Sequence, residues 1–411
     1  MGNFSIALSG LDADSVALNT IGNNLANLNT TAFKGQTTSF EDLFYQQIGQ
    51  SGSGDAIQVG AGTQVSGTST DFSEGTILPD ANPNSSDMAL QGNGFFVVQQ
   101  GGVQSLTRAG NFELSSNGDL ITQDGQQVMG YAAVNGVVNQ NTSLAPITIP
   151  VGVNEGAQAT QNFSVTANLN SNATVGTAFS SPVQVYDSLG QSHQATVNYT
   201  KTGTNTWSYS VTLPAGDATG TPTNNTGTLT FDSSGNLVSP TGSVSNITFP
   251  GLADGASDLS FNWNLNGSSG SPTVTQLASA STNTAAPQDG FTSGVYQSFT
   301  VDPSGVITAQ FSNGRTSTIG QVAVATVANT AGLTASGGNN FNTTAASGQA
   351  TIGVAGAGGR GTIDDGALEQ SNVNISTEFS NLIVAQRAFE ANSKTVTTFD
   401  TVSQDVLAMV R

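Results

Sequence analysis

The sequence predicts an α+β multidomain protein: terminal helices pairing as a coiled coil, followed by nested mainly-β domains of sandwich or barrel-like form. Three observations carry this. Phe4, Leu11, Leu18 and Leu25 fall seven residues apart, with Ala7, Ile21 and Leu28 three positions on. At the other end Ile375, Leu382, Phe389, Val396 and Val410 keep one seven-residue register, broken by Ser403, with Phe379, Ala385, Phe399 and Val406 beside it. Between the ends the apolar period changes to two, the signature of strands. A seven-residue repeat is half of a coiled-coil seam, and a lone helix with so narrow a stripe cannot bury it within itself. Each end therefore needs a partner: the other terminus, other copies of the chain, or both.

The first helix is expected over residues 3 to 28, although Gly10 and Gly22 each weaken it by about 1 kcal/mol relative to alanine. Residues 31–75 read as an extended connecting segment rich in Gly, Ser, Thr and Gln, in which the apolar patch Phe40–Tyr45 allows a short helix. Residues 76–145 and 287–371 read as one discontinuous β-domain. Phe95–Gln99 and Val103–Thr107 flank a Gln-Gly-Gly turn, and Tyr131–Val134 and Val137–Val138 flank Asn135-Gly136, a strong hairpin signal. One strand-turn-strand pattern recurs at Phe112–Leu120, Leu229–Leu237 and Phe299–Ile307, with glycine six positions after the first apolar residue each time. Residues 146–286, richer still in Thr, Ser, Asn and Gly, read as an inserted outer β-domain, a small sandwich or barrel. Residues 1–30 and 372–411 read as one helical coiled-coil core domain, with Asn374 as N-cap of the last helix and Glu390 and Lys394 as an i, i+4 pair.

Composition points to assembly rather than chemistry. Charged residues make up 9% of the 411, against about 25% in an ordinary domain. Eight basic residues face 27 acidic ones, for a net charge of -19. No two basic residues are closer than seven positions, so neither nucleic acid nor an anionic membrane finds a cationic patch. There is no cysteine, hence no disulfide or thiolate chemistry. No apolar run approaches the roughly 20 residues of a membrane helix, and no cleavable secretory signal is expected at the N-terminus.

Catalytic and ligand-binding patterns are thin. His193 is the only histidine, which removes a His pair for metal, and a solvated strand or turn position is expected for it. The Asp-x-Ser-Gly turns lack the alternating acids and terminal Glu of a calcium loop, so Asp, Ser and Gly there read as turn formers. Gly356-x-Gly358-x-x-Gly361 matches a dinucleotide fingerprint by letters, yet Thr362-Ile363-Asp364-Asp365-Gly366 opens no helix to hold a pyrophosphate. Trp207 and Trp263 read as strand-core aromatics before a sugar platform. No catalytic residue, cofactor or metal is expected.

Three motifs carry a resemblance. Ala7-Leu8-Ser9-Gly10-Leu11 with Ile21-Gly22-Asn23-Asn24-Leu25-Ala26-Asn27-Leu28-Asn29-Thr30-Thr31-Ala32-Phe33-Lys34 resembles the N-terminal signature of the bacterial flagellar rod and hook family. Gln91-Gly92-Asn93-Gly94-Phe95-Phe96-Val97-Val98 with Leu106-Thr107-Arg108-Ala109-Gly110-Asn111-Phe112 is similar to that family's shared β-domain. Leu368-Glu369-Gln370-Ser371-Asn372-Val373, followed by Leu382–Asn392, resembles its C-terminal signature. Within the family, Val185–His193, Phe311–Gly314 and Ile319–Ala323 are similar to the hook members. Ala32 departs from the commoner glycine, and Asn374 from a frequent aspartate.

The resemblance implies a structural subunit that polymerises helically into a flexible hollow tube, a universal joint passing torque from rod to filament. The seven-residue rows put the assembly interface at Phe4, Leu11, Leu18, Ile21, Leu25, Leu28, Ile375, Phe379, Leu382, Phe389, Val396, Phe399, Val406 and Val410. The implied partners are further copies of the chain and the rod, hook-cap, hook-filament junction and hook-length control proteins. The implied location is extracellular, reached through the flagellar type III export apparatus. Competing readings are a distal rod subunit, a secreted sugar-binding or adhesin-like β-protein with a coiled-coil stalk, and a glycosidase using two of the scattered acids.

Overall fold

The structure is a computed structural model that describes residues 2–50, 56–80, 86–267 and 270–409. The chain divides into two compact units: residues 1–151, 298–309 and 317–411, and residues 152–297 with 310–316.

In the first unit, helix α1 spans Gly2–Ala26 and helix α2 spans Ile375–Met409. Asn374 caps α2 as expected, its Oδ1 accepting from the N–H groups of Ser376 and Thr377 at 3.0 and 3.2 Å. The expected Glu390–Lys394 pair gives way to Arg387–Glu390 at 3.1 Å, an exposed contact worth little. After α1 the short helix allowed at Phe40–Tyr45 is absent. Strand Gln36–Asp42 pairs antiparallel with Thr63–Thr70 instead. Facing β-branched and hydroxyl side chains favour the ladder, as where Thr37 Oγ1 meets Ser69 Oγ at 2.9 Å. Gln46–Gln50 and Ala56–Val59 make a second ladder.

The β-body of this unit is built around Phe95–Gln100, paired with Val103–Thr107 on one side and with Gln127–Val134 and Thr316–Thr326 on the other. Phe95, Phe96, Val97 and Val98 are all buried, so this continuous apolar run is a strand covered on both faces rather than one that alternates. One face packs Phe95, Val97, Leu106, Met129, Tyr131, Ala323, Ala325 and Phe341 together, with Phe72 edge-on to Phe95 and Phe341. On the other, Phe96 and Phe112 meet edge-to-face at 5.1 Å. Gly110 is required where it stands: an added Cβ would lie 1.6 Å from the Met88 carbonyl oxygen.

The second unit wraps three sheets around one core without closing a barrel. A five-stranded meander runs Ala178–Tyr186, Ser192–Gly203, Thr206–Thr212, Thr226–Phe231 and Leu237–Ser239. Two three-stranded sheets, one centred on Leu259–Asn264 and one on Thr166–Asn170, complete it. Trp207 and Trp263 are fully buried core residues. Trp207 Nε1 donates to Gln276 Oε1 at 2.9 Å, and Trp263 stacks on Phe163. His193 is not solvated as expected. It shares the inward face of its strand with Ala195, Val197 and Tyr199 and is buried. Burial would lower its pKa, but hydrogen bonds to Asp217 and Asp187 outweigh that and hold it above the usual value.

The recurring turn is one structure. In Ser115–Asp119, Asp232–Asn236 and Asp302–Val306 the first side-chain oxygen accepts from the N–H groups two and four residues on. The glycine at the fourth position has φ of 84°, 83° and 84°. Asp187–Gln191 is a fourth copy, with Gly190 at φ 85°. These oxygens cap the backbone of the turn. The stretch Gly356–Gly361 is likewise a turn, closed by Gly356 N–H to Gly361 O at 2.8 Å.

The three resembling motifs meet at a buried carboxylate. Glu369 Oε1 accepts from Lys34 Nζ at 2.6 Å and Oε2 from Arg108 Nε at 2.9 Å, all three side chains at most 5% exposed. Gly75 N–H donates to Oε1 at 2.8 Å, and Lys34 Nζ also reaches the Ser73 carbonyl at 2.7 Å. The Arg108 guanidinium donates to the carbonyls of Leu90, Gly92 and Gly94. Burial pushes the Lys34 pKa below its ordinary value, opposed by its pairing with Glu369. Glu369→Ala would strand two buried cations and should cost about 3–5 kcal/mol. Urea unfolding followed by far-UV dichroism should show the first unit melting early, while fluorescence of Trp207 and Trp263, both in the second unit, keeps its midpoint. An unshifted first transition would show that the cluster is not what ties the segments together.

Candidate assembly interface

Helices α1 and α2 pack along each other within the protomer. Gly10 lies beside Asn392 while Gly35, just past α1, lies beside Val373 and Asn372, so the two helices run antiparallel. The face of α1 that is buried carries Ala7, Gly10, Ala13, Ala17, Thr20 and Asn24, a row of small and polar residues at spacings of three and four. Small side chains let the backbones approach. A Cβ on Gly10 would stand 2.7 Å from Asn392 Nδ2, which instead donates to Asp14 Oδ2 at 2.9 Å. On α2 the one buried residue is Ala385.

Polar members of the same row fix α1 to the ribbon beneath it. Asn24 exchanges hydrogen bonds with the Gln36 backbone at 2.8 and 2.9 Å, and Thr38 Oγ1 donates to Thr20 Oγ1 at 3.0 Å. Asn372, at the entry to α2, accepts from Gly35 N–H at 2.8 Å and donates to the Asp71 carbonyl at 2.9 Å. Both helices therefore leave the β-body from one anchored point. Asn24, a poor helix former, serves here as a backbone clamp.

The large apolar residues of the seven-residue rows are placed differently. Leu11, Leu18, Ile21, Leu25 and Leu28 are half-buried, Leu28 in the turn after α1, and so are Leu382, Val396 and Phe399 on α2. Ile21 joins Ala17, Val384 and Ala385 along a groove of about 360 Å³ between the helices and the Gln36–Asp42 strand. Ile375, Phe379, Phe389 and Val406 are exposed. The side chain of Phe4, and Val410 entirely, lie outside the described residues. Ile383, Val384, Val402 and Leu407, absent from the seven-residue row, are exposed as well, Leu407 at 68%. Every residue from Thr401 to Met409 is exposed. Sequence reasoning missed the small-residue row, whose signal was available in the spacing of Gly10, Ala13 and Ala17 but is fainter than that of the leucines.

Four family profiles match the chain. They are flagella basal body rod protein over residues 4–34, flagellar hook protein FlgE/F/G D1 domain over 89–168, flagellar basal body protein FlaE D2 domain over 158–291, and flagellar basal body rod FlgEFG protein C-terminal over 364–409. The chain is 36% identical to the flagellar hook protein FlgE of Salmonella typhimurium over 413 residues, covering 97% of each. It is 32% identical to that of Treponema pallidum over 458 residues, covering 98% of each, and 35% identical to that of Escherichia coli over 412, covering 97% of each. The crystal structure of Helicobacter pylori flagellar hook protein FlgE2 shares the fold with a TM-score of 0.55 at 16% identity, over 71% of this chain and all of that one. The chain belongs to the flagellar hook protein FlgE family, whose members are structural subunits of the hook and not enzymes.

Proposed function

We propose that the protein polymerises helically into a flexible hollow tube, with the antiparallel α1–α2 pair as its inner, assembly-driving element. As a hook subunit it is part of the flagellum outside the cell and associates with copies of itself and with rod and filament. The observation that carries the finer reading is the division of labour on the helices. The small-residue face is used up within the protomer, while Ile375, Phe379, Phe389 and Val406 stay exposed. In water such a stripe favours association. Neighbouring subunits would cover it, lining a central channel, with the β-units at larger radius and the tube acting as a universal joint that transmits torque. Export through the flagellar type III apparatus, growth beneath the hook cap, and contacts with junction and length-control proteins complete the reading.

The seam can be tested without disturbing the β-units. Phe379→Asp or Phe389→Asp puts a charge where a dry contact is proposed, costly once buried and cheap while exposed. Both variants should keep the wild-type melting temperature of the β-units, yet form no tubes in negative-stain micrographs. Normal polymerisation of both would move the seam elsewhere.

The second unit should tune the tube rather than build it, because interfaces between such units are polar, wet and easily exchanged. Replacing residues 158–291 with a short Gly-Ser linker should still give tubes, straighter or more pliant than wild type. Absence of tubes while the first unit remains folded would assign essential assembly contacts to the second unit, and unchanged curvature would remove its mechanical role.

A further inference from the structure

His193 stands where four segments of the second unit converge. Its Nδ1 is 3.0 Å from Asp217 Oδ2, in the loop after Thr206–Thr212. Its Nε2 is 3.2 Å from Asp187 Oδ2, in the turn before its own strand, and 3.6 Å from Asp254 Oδ2, in the loop before Leu259–Asn264. The last three atoms lie within 4.8 Å of one another. The Asp187 side chain is fully buried, and its Oδ1 is taken by the N–H groups of Leu189 and Gln191 at 2.8 and 2.9 Å. Its Oδ2 is thereby aimed at the imidazole. Asp254 is turned the same way, its Oδ1 accepting from Ala256 N–H at 3.1 Å. Three lone-pair donors thus face one point, and an imidazole Nε2–H could satisfy only one of the two carboxylates.

We propose that this point is a divalent-cation site of the zinc class, with His193 Nε2, Asp187 Oδ2 and Asp254 Oδ2 as ligands and Asp217 as the residue that orients the imidazole. The spacing fits. Tetrahedral bonds of about 2.0–2.2 Å set neighbouring ligand atoms roughly 3.3–3.6 Å apart, and the two separations from Nε2 are 3.2 and 3.6 Å. A metal-bound histidine characteristically donates its other ring N–H to a carboxylate, the position that Asp217 holds. One imidazole and two carboxylates suit zinc better than calcium, which takes six to eight oxygens. The Asp254 side chain is 28% exposed, so the cluster is reached from solvent on that side. Bound there, the metal would clip a turn, a strand and two loops of the unit together. Asp217 and Asp254 follow His193 by 24 and 61 positions, a separation no ligand-spacing motif covers.

Equilibrium dialysis of the metal-stripped full-length monomer against ZnCl2 at pH 7.5 tests this directly. One zinc per chain is expected, with a rise in the unfolding temperature reported by Trp207 and Trp263 fluorescence. Asp254→Asn and Asp217→Asn, both partly exposed positions that should fold, are expected to weaken binding by about tenfold or more. Zinc retained equally by both variants would place it on scattered surface acids and overturn the site. No zinc uptake by the wild type, with nitrogen NMR showing His193 protonated on both ring nitrogens, would replace the metal with an imidazolium held between carboxylates and overturn it equally.

Discussion

The Glu369 carboxylate is the constraint on which the first unit depends. It binds Lys34 across 335 residues of sequence and Arg108 across 261, drawing the exits of both terminal helices onto the shared β-body. A carboxylate with no solvent contact is tolerable because three donors meet it: an ammonium, a guanidinium and the Gly75 N–H. The two cations in turn hold four backbone carbonyls, at Ser73, Leu90, Gly92 and Gly94. Long connections with little apolar content can be ordered in this way. Lys34–Gly35, Ser73–Gly75 and Glu369–Asn372 are polar segments that contribute little to a hydrophobic core, yet they are fixed by directed bonds.

From that anchor the helices divide their surface by side-chain size. Alanine, glycine, threonine and asparagine face inward, where short side chains let α1 approach both α2 and the two-stranded ribbon. Leucine, isoleucine, valine and phenylalanine are left partly or wholly outside. A protomer that exposes Phe379 and Phe389 is incomplete in the thermodynamic sense, and the proposed tube supplies the missing burial from other copies. The last turns of α2 state this most plainly. Opposite Asn392 only eight residues of α1 remain before its start at Gly2, so Thr401–Met409 extend beyond the pairing by about 13 Å.

Much of this was legible in the sequence. The heptads announced both helices, the period-two segments announced the strands, and Asn135-Gly136 and the Asp-x-Ser-Gly pattern marked their turns. Other features were hidden because they are products of tertiary geometry. Phe40 lies in a strand, since its ladder partner is more than 20 residues away and local propensity cannot see it. The Glu369 cluster leaves only isolated charges in the sequence, although their scarcity in a chain with eight basic residues was a hint. Ala32, noted as a departure from glycine, has φ of 55° and is buried, so the commoner residue reflects a left-handed backbone at that point. His193 looked like a surface residue because the acids around it come from distant loops.

The central claim is that the apolar residues left exposed on the helix pair are covered by neighbouring copies in the tube. Hydroxyl-radical footprinting of monomer and assembled tubes, read residue by residue by mass spectrometry, measures this. The account predicts strong labelling of Phe379, Phe389, Val406 and Leu407 in the monomer and protection in the tube, while buried Trp207 and Trp263 stay protected in both. Equal labelling of the four residues in monomer and tube would contradict it, as would their protection in the monomer.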